Sequence, residues 1–289
     1  IRVLGVEPAG NVAKAAIDAG VPTMISFFGR DTARRIVGDG VKADLLVANN
    51  VMAHVPNLND FIGGFKILLA ANGVVTVEFP HLLNLMRENQ FDTIYHEHFS
   101  YFSFLTAEAL FAAHGLRVFD VEKLTTHGGS LRIYGCHMDA RFPTTPHVDE
   151  LLAEERAAGL DDIATYSGFE KKVHKVKWGV LSFLLRAKEQ RKTVAAFGAA
   201  AKGNTLLNYC GVGPEFIEYV VDSNPHKQGL FLPGSRIPIY PPDHIHETRP
   251  DYVLILPWNL SGEITAAHDY VKSWGGQFVV PVPEVRIVG

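Results

Sequence analysis

Ala43-Asp44-Leu45-Leu46-Val47-Ala48-Asn49-Asn50 is a short apolar run that ends in two amides. A run this continuous suits a parallel strand buried on both faces, and parallel strands need crossover helices to join them. Both flanks supply such helices. Upstream, residues 23–28 read as a strand closed by Gly29-Arg30, and a helix capped by Asp31 runs to about Val37 before Gly38-Asp39-Gly40 breaks it. Further back, residues 11–19 read as a helix and residues 1–7 as a strand ending in Glu7. Downstream, a helix beginning at Asn59 or Asp60 runs to Leu69, and Asn72-Gly73 turns the chain into a strand over residues 73–79. Strand and helix therefore alternate as far as Pro80, which implies an α/β fold with a parallel sheet and right-handed crossovers.

Beyond Pro80 the rhythm changes. A short helix is expected over residues 81–89, and a helix capped by Thr106 over residues 107–113. Two strands follow at residues 116–122 and 131–136, joined through His127-Gly128-Gly129, as for an antiparallel hairpin closing a mixed sheet. Residues 149–158 and 166–192 are charged, poor in glycine and helical. Phe169, Val173, Val176, Val180, Leu181, Leu184 and Leu185 place the second of these as one amphipathic helix, a spine packing two domains. A second α/β unit opens with a strand at residues 193–197, the turn Gly198-Ala199-Ala200-Ala201-Lys202-Gly203-Asn204 and a helix over about 205–209. Further strands are expected at 216–221, 252–256 and 277–280, with a helix over about 263–274.

The 289 residues suffice for two domains, divided here as 1–140 and 141–289. Hydrophobic residues make up 47% and charged residues 20%, the balance of a globular protein in water. A net charge of −4 carries no basic footprint for nucleic acid. No apolar run reaches membrane-spanning length and no signal peptide is visible. The two cysteines, Cys136 and Cys210, form no disulfide framework and no cysteine-rich zinc site, so a reducing cytoplasm is the expected location. The first residues read as the interior of a strand, which leads us to expect a preceding N-terminal portion.

In an open parallel sheet, ligands bind beyond the carboxyl ends of the strands. In the first half those ends present Glu7, then Phe27 and Phe28, then Asn49 and Asn50, then Glu78 with Pro80. Glu7 suits an acid that accepts from ribose hydroxyls, Phe27 or Phe28 a ring stacked on a base, and Asn49 and Asn50 amides beside the same pocket. His54, in the loop after the third strand, faces that pocket. The densest run of titratable groups is Tyr95-His96-Glu97-His98-Phe99-Ser100-Tyr101. Three readings stand for it: a metal site in which His96 and His98 share one face, a solvated loop, or an acid–base centre. In the last, His98 takes a proton near neutral pH and Tyr95 faces a developing oxyanion. No third metal ligand is evident. In the second half, the small residues around Lys202 suit a phosphate at a helix N-terminus, and Asp222-Ser223-Asn224 follows the next strand where a nucleoside-binding acid belongs.

Four separated runs carry a family resemblance. They are Ala48-Asn49-Asn50-Val51-Met52-Ala53-His54-Val55-Pro56, the run from Phe91 to Ser103 centred on Tyr95-His96-Glu97-His98, then His127-Gly128-Gly129-Ser130-Leu131-Arg132, and Gly198-Ala199-Ala200-Ala201-Lys202-Gly203-Asn204. Together they resemble the S-adenosylmethionine-dependent sugar C-methyltransferases, which methylate C-3 of deoxysugar nucleotides. The resemblance covers essentially the whole chain. It implies a class I methyltransferase (Rossmann-like) domain followed by a second Rossmann-like domain that holds the nucleotide sugar. The family's N-terminal zinc-binding part, first strand and glycine-rich loop have no counterpart here, so zinc is expected only upstream and the methyltransferase domain is expected to be N-terminally incomplete.

Carried over residue by residue, the resemblance implies that Glu7 binds the cofactor ribose, with Phe27, Asn49 and Asn50 beside the cofactor. It implies as well that His98 is the base that removes the C-3 proton, with Glu97, Tyr95 and His54 in support. Lys202 and Asn204, with Asp222 and Asn224, meet the nucleotide of a small-molecule substrate. Two other readings compete: an NAD-dependent sugar-nucleotide oxidoreductase or epimerase, and a non-catalytic nucleotide-sugar-binding remnant.

Overall fold

A computed structural model describes residues 1–288. The chain forms two compact units, and neither is continuous in sequence. One combines Ile1–Leu82 with His98–Asp161, and the other combines Leu83–Glu97 with the residues from Asp162 onward. The division expected near residue 140 is continuous, whereas the observed second unit also takes in the short excursion 83–97.

The first unit runs β1 (Gly5–Val6), α1 (Gly10–Asp18), β2 (Thr23–Met24), α2 (Arg30–Gly38), β3 (Ala43–Asn49), α3 (Leu58–Leu68) and β4 (Leu69–Pro80). The chain leaves this unit through α4 (Leu82–Arg87). It returns for α5 (Phe104–Ala113), β5 (Leu116–Leu124), β6 (Ser130–His137) and α6 (Pro146–Ala157). β1 and β2 pair in parallel. A second sheet has the order β3-β4-β6-β5, with β3 parallel to β4 and β6 antiparallel to both its neighbours, as the hairpin predicts. Val75, Val77 and Phe79 alternate inward along β4 and are fully buried against Phe65 of α3, Phe104 and Phe111 of α5 and Leu131 and Ile133 of β6.

Several expectations need correction. β3 is not buried on both faces: Leu45 and Val47 are 59% and 60% exposed, while Ala48 is buried. Among the described residues β3 pairs only with β4, so it is an edge strand with one open face. Only Gly5–Val6 of the expected first strand pairs, because β2 offers it two residues. α5 starts a turn earlier than expected, since Ser103 Oγ, and not Thr106, caps it by accepting the Thr106 N–H at 3.1 Å.

Two buried carboxylates tie this unit together, Glu155 joining helices to the end of β4 and Glu78 joining β4 to β6. Glu155 of α6 has no exposed surface. Its Oε1 accepts from His81 Nε2 at 2.7 Å and from the Phe104 N–H at 2.7 Å, and Oε2 accepts the Leu105 N–H at 2.8 Å. Phe104 and Leu105 open α5, so the carboxylate meets two otherwise unpaired helix donors and the positive end of the helix dipole. His81 also bridges Phe102, and the Leu82 N–H donates to the Phe102 carbonyl at 3.0 Å. Glu78 of β4 lies opposite Arg132 of β6. It accepts from Arg132 Nη2 at 2.9 Å and from Thr126 Oγ1 at 3.0 Å. Burial pushes this carboxyl up. The Arg132 guanidinium, the Thr126 hydroxyl and the Asn50 side chain more than reverse that and hold it below its ordinary 4.5.

The second unit contains α7 (Ile163–Ser167), α8 (Phe169–Glu189), β7 (Val194–Phe197), α9 (Ala201–Cys210), β8 (Val220–Val221), β9 (Ile239–Tyr240), α10 (His244–Thr248), β10 (Tyr252–Ile255), α11 (Ser261–Ala267), β11 (Gln277–Val280) and β12 (Arg286–Val288). Its sheet has the order β12-β11-β10-β7-β8-β9, parallel except for β12. From β7 the chain builds outward through β8 and β9, then crosses back to β10, so the topological switch point lies between β7 and β10. The expected helix over 166–192 is two helices meeting at Gly168. Val173, Val176, Val180, Leu184 and Ala187 of α8 line this unit's own core, while Leu185 is 51% exposed. β9, α10 and β12 are too short to leave a periodic signal. Cys136 and Cys210 are free and buried. Among the described residues, no helix is long and apolar enough to cross a membrane.

Glu155→Ala strands the buried His81 and α5 donors together, and urea denaturation is expected to show a loss of about 3–5 kcal/mol. Lys123→Ala, which breaks the exposed ion pair between Lys123 of β5 and Glu154 of α6, is expected to cost less than about 1 kcal/mol. The Glu78 contribution has a defined pH sign. A depressed carboxyl adds stability above its unfolded value of 4.5, and that stability is lost as pH falls through the lower folded value. Arg132→Met should therefore destabilise at neutral pH, and its difference from the parent chain should shrink on acidification below that point, as followed by urea midpoints across pH.

Candidate functional site

The first unit gathers its candidate residues at the carboxyl ends of its parallel strands. Glu7 follows β1 and is half-buried, with Oε1 accepting the Ala9 N–H at 2.7 Å. That bond orients the carboxylate at the entry to α1. After β2 the two phenylalanines separate: Phe28 packs on Phe61 and Phe65 at 5.7 and 5.5 Å, whereas Phe27 is 79% exposed. After β3, Asn49 is exposed. Asn50 takes the left-handed conformation (φ 53°), its N–H donates to the Glu78 carbonyl at 2.8 Å and its side chain bonds the Glu78 carboxylate. Asn50 Oδ1 is buried and has no hydrogen-bond partner among the described residues. An acid, an open aromatic ring and two amides, one of them with an unmet carbonyl oxygen, offer acceptors, donors and an apolar face of the kinds that an adenosine ligand uses.

Two imidazoles from distant parts of the sequence meet in this unit. His54 ends a 3-10 turn over Met52–His54, and the Ala53 carbonyl at its centre accepts the N–H of Phe99 at 2.8 Å and of Ser100 at 3.3 Å. These bonds bring His98 edge-on to His54, with ring centroids 4.8 Å apart, and Tyr101 lies edge-on to His98 at 5.6 Å. His98 and Tyr101 are half-buried and His54 is exposed. A half-buried imidazole flanked by a second imidazole and a phenol has the elements of a relay that accepts a proton and passes it to water.

Tyr95 and Glu97 belong to the other unit, since the chain changes unit between Glu97 and His98. Residues 95–97 form a bend and turn, so the extended geometry needed for His96 and His98 to share a face is not present. Among the described residues, no group of three His, Cys, Asp or Glu side chains has metal-binding geometry. Tyr95 is half-buried, and burial, with the charges of Glu97 and Asp92, raises its phenol above its ordinary value.

In the second unit the turn after β7 needs glycine: Gly198 has φ +91°, and an added Cβ would come within 2.5 Å of Pro257. α9 begins earlier than expected, which puts Lys202 and Asn204 in its first turn. Lys202 is half-buried, donates to Asn259 Oδ1 at 2.6 Å and lies 4.7 Å above the Trp258 ring; burial pulls its ammonium down. Asn204 Oδ1 accepts from Asn208. Asp222 turns inward, with Oδ2 accepting the Ala199 N–H at 2.7 Å and Oδ1 the Asn224 N–H at 2.8 Å. Lys227 closes the same loop by donating to the Ala199 carbonyl at 2.9 Å. Asp222 and Asn224 thus shape the turn after β7 from behind.

Sequence reading passed over Asp92, Trp258, Asn259 and Lys227. Asp92 was discernible as an acid wedged between Phe91 and Thr93, and Trp258-Asn259 as the polar end of a strand. Lys227 had no local signal, because its partners are set by the β7–β8 crevice.

Residues 3–121 match the methyltransferase domain model, and residues 125–283 match the C-methyltransferase C-terminal domain model. The C-methyltransferase NovU of Streptomyces niveus is 40% identical over 287 residues, covering 99% of this chain and 68% of the relative. Among solved structures, a possible histamine N-methyltransferase of Thermotoga maritima shares 18% identity with a TM-score of 0.36, covering 46% of this chain and 72% of its own. Magnesium protoporphyrin IX methyltransferase of Synechocystis shares 12% with a TM-score of 0.37, covering 47% and 64%. With one C-methyltransferase model spanning the second half and a C-methyltransferase relative aligned along nearly every residue, the chain belongs to the S-adenosylmethionine-dependent C-methyltransferase family.

Proposed function

We propose that the chain methylates C-3 of a 4-keto deoxysugar nucleotide, with His98 as the base. The observation that carries this reading is the His54–His98–Tyr101 cluster, a half-buried imidazole with two polar ring neighbours in a C-methyltransferase. Making a carbon nucleophile requires removal of a C–H proton, and a neighbouring ketone makes that proton acidic. His98 takes the C-3 proton, and the electron pair moves into an enolate with its charge on the C-4 oxygen. Tyr95 donates to that oxygen, Glu97 holds a sugar hydroxyl, and His54 receives the proton from His98 on its way to water. S-adenosylmethionine, when bound, supplies the methyl group, which the enolate carbon takes with loss of the neutral thioether. Glu7 holds the cofactor ribose, with Phe27, Asn49 and Asn50 beside it. Lys202 and Asn204 bind the nucleotide phosphates on a loop that Asp222 and Asn224 brace.

Transfer of labelled methyl to a 4-keto deoxysugar nucleotide tests the reading, and the matching 4-hydroxy sugar should stay unlabelled. His98→Asn is expected to lower kcat by about 10²–10⁴-fold while both ligands still bind; full activity in that variant would remove His98 as the base. Glu7→Ala is expected to raise KM for S-adenosylmethionine about tenfold or more with a smaller change in kcat. An unchanged KM would place the cofactor ribose elsewhere.

A further inference from the structure

Asp92 is a charged group that the fold alone does not need. It lies in a 3-10 turn over Phe91–Thr93 and is fully buried. Trp258, after β10, donates its indole Nε1–H to Asp92 Oδ2 at 2.7 Å. Asp92 Oδ1 is buried and has no partner among the described residues. The titratable groups that face it are the Lys202 ammonium from the first turn of α9 and the neutral Tyr95 phenol from its own segment. Burial pushes its carboxyl up to about 6, against the Trp258 bond and the Lys202 charge. A buried carboxylate with one good hydrogen bond and one unmet oxygen is a poor stabilising device, and an apolar residue of similar size commonly does as well or better.

Its position explains its presence. The Asp92–Trp258 bond sits at the carboxyl ends of β7 and β10, the switch point of the second sheet, where Lys202 joins Trp258 and Asn259. The rest of the excursion is secured on the same unit. Phe91 is buried in its core and packs edge-on to Tyr209 at 5.1 Å, and Asn89 Nδ2 donates to the Pro283 carbonyl at 3.1 Å. Asp92 is the last of these anchors before Tyr95 and Glu97.

We propose that Asp92 is a positioning residue, whose bond to Trp258 beside Lys202 fixes the segment carrying Tyr95 and Glu97 on the switch point of the second sheet and ties its placement to the phosphate-loop lysine. The kinetic consequence rests on the function proposed above, whereas the anchoring does not.

The test uses the full chain and removes the bond from each side, as Asp92→Leu, Trp258→Phe and the double variant. Hydrogen exchange of amides 91–97 is expected to rise about tenfold or more in each, while the urea midpoint of Asp92→Leu stays at or above the parent value. kcat is expected to fall about tenfold or more, with KM for S-adenosylmethionine within about twofold. The double variant should be no worse than the worse single one, because both remove one bond. Asp92→Asn keeps an oxygen for the indole and should restore most of the protection. Tryptophan fluorescence should titrate with a midpoint near pH 6 in the parent chain, and neither Asp92→Asn nor Trp258→Phe should show that step. Unchanged exchange over 91–97 overturns the anchor. Raised exchange with unchanged kcat overturns the positioning role, as does an additive double variant. A parent chain without methyl transfer to the 4-keto substrate defeats the proposed function instead, and exchange and fluorescence still decide the anchor.

Discussion

A carboxylate shut away from water costs least where donors meet it on several sides, and Glu155 is met on three. That one group joins α6, the start of α5 and the residue after β4. Without it the first turn of α5 would bury two unpaired N–H groups, and His81 would face an apolar interior. The return of the chain into the first unit depends on this joint. Phe102 bridges His81, Ser103 caps α5, and the Ala53 carbonyl takes two N–H groups just before them. His98 is brought to His54 because the backbone on its downstream side is fixed by these bonds.

The helical period makes Glu155 legible in principle. Val148, Leu151 and Glu155 are the buried residues of α6 and stand three and four apart, the spacing of one helix face. Its neighbour Glu154 lies about 100° away on the helix and pairs with the exposed Lys123. Read by composition, the two acids are equivalent. Read by period, one is inside. What the period cannot supply is the partner, because His81 and the α5 donors come from far along the chain.

The same limit explains the rest of the comparison between sequence and structure. Strands β4 to β6 and their hairpin follow from local pattern, since alternation and glycine turns act over a few residues. The open face of β3 does not, because an apolar run looks the same whether or not a neighbour covers it. The candidate bases and amides were visible as residue types at strand ends, and the geometry gathers His54 and His98 as well as the fourfold cluster of Asp92, Lys202, Trp258 and Asn259. Asp222 shows the reverse case. Its place after β8 suits an acid that reads a ligand, yet the Ala199 N–H from the turn after β7 and the local Asn224 N–H both donate to it, and backbone bonds claim it first.

Residues 94–101 have neither helix nor strand, only bends at Tyr95 and Phe99 and a turn at His96 and Glu97, and they carry two imidazoles, a carboxylate and two phenols. Irregular backbone this polar cannot be buried without partners for every peptide group, so it has to stay partly open. Open segments drift unless their ends are fixed. The upstream end is fixed on the second unit at Phe91–Thr93, and the downstream end on the first unit at Phe99–Phe104. Each anchor includes a fully buried acid, Asp92 before the stretch and Glu155 behind it. They differ in how well they are satisfied. Glu155 has three donors and serves stability; Asp92 has one and leaves an oxygen unmet. A fold under selection for stability alone would keep the first and replace the second, so it is the less satisfied acid that points to chemistry in the segment it holds.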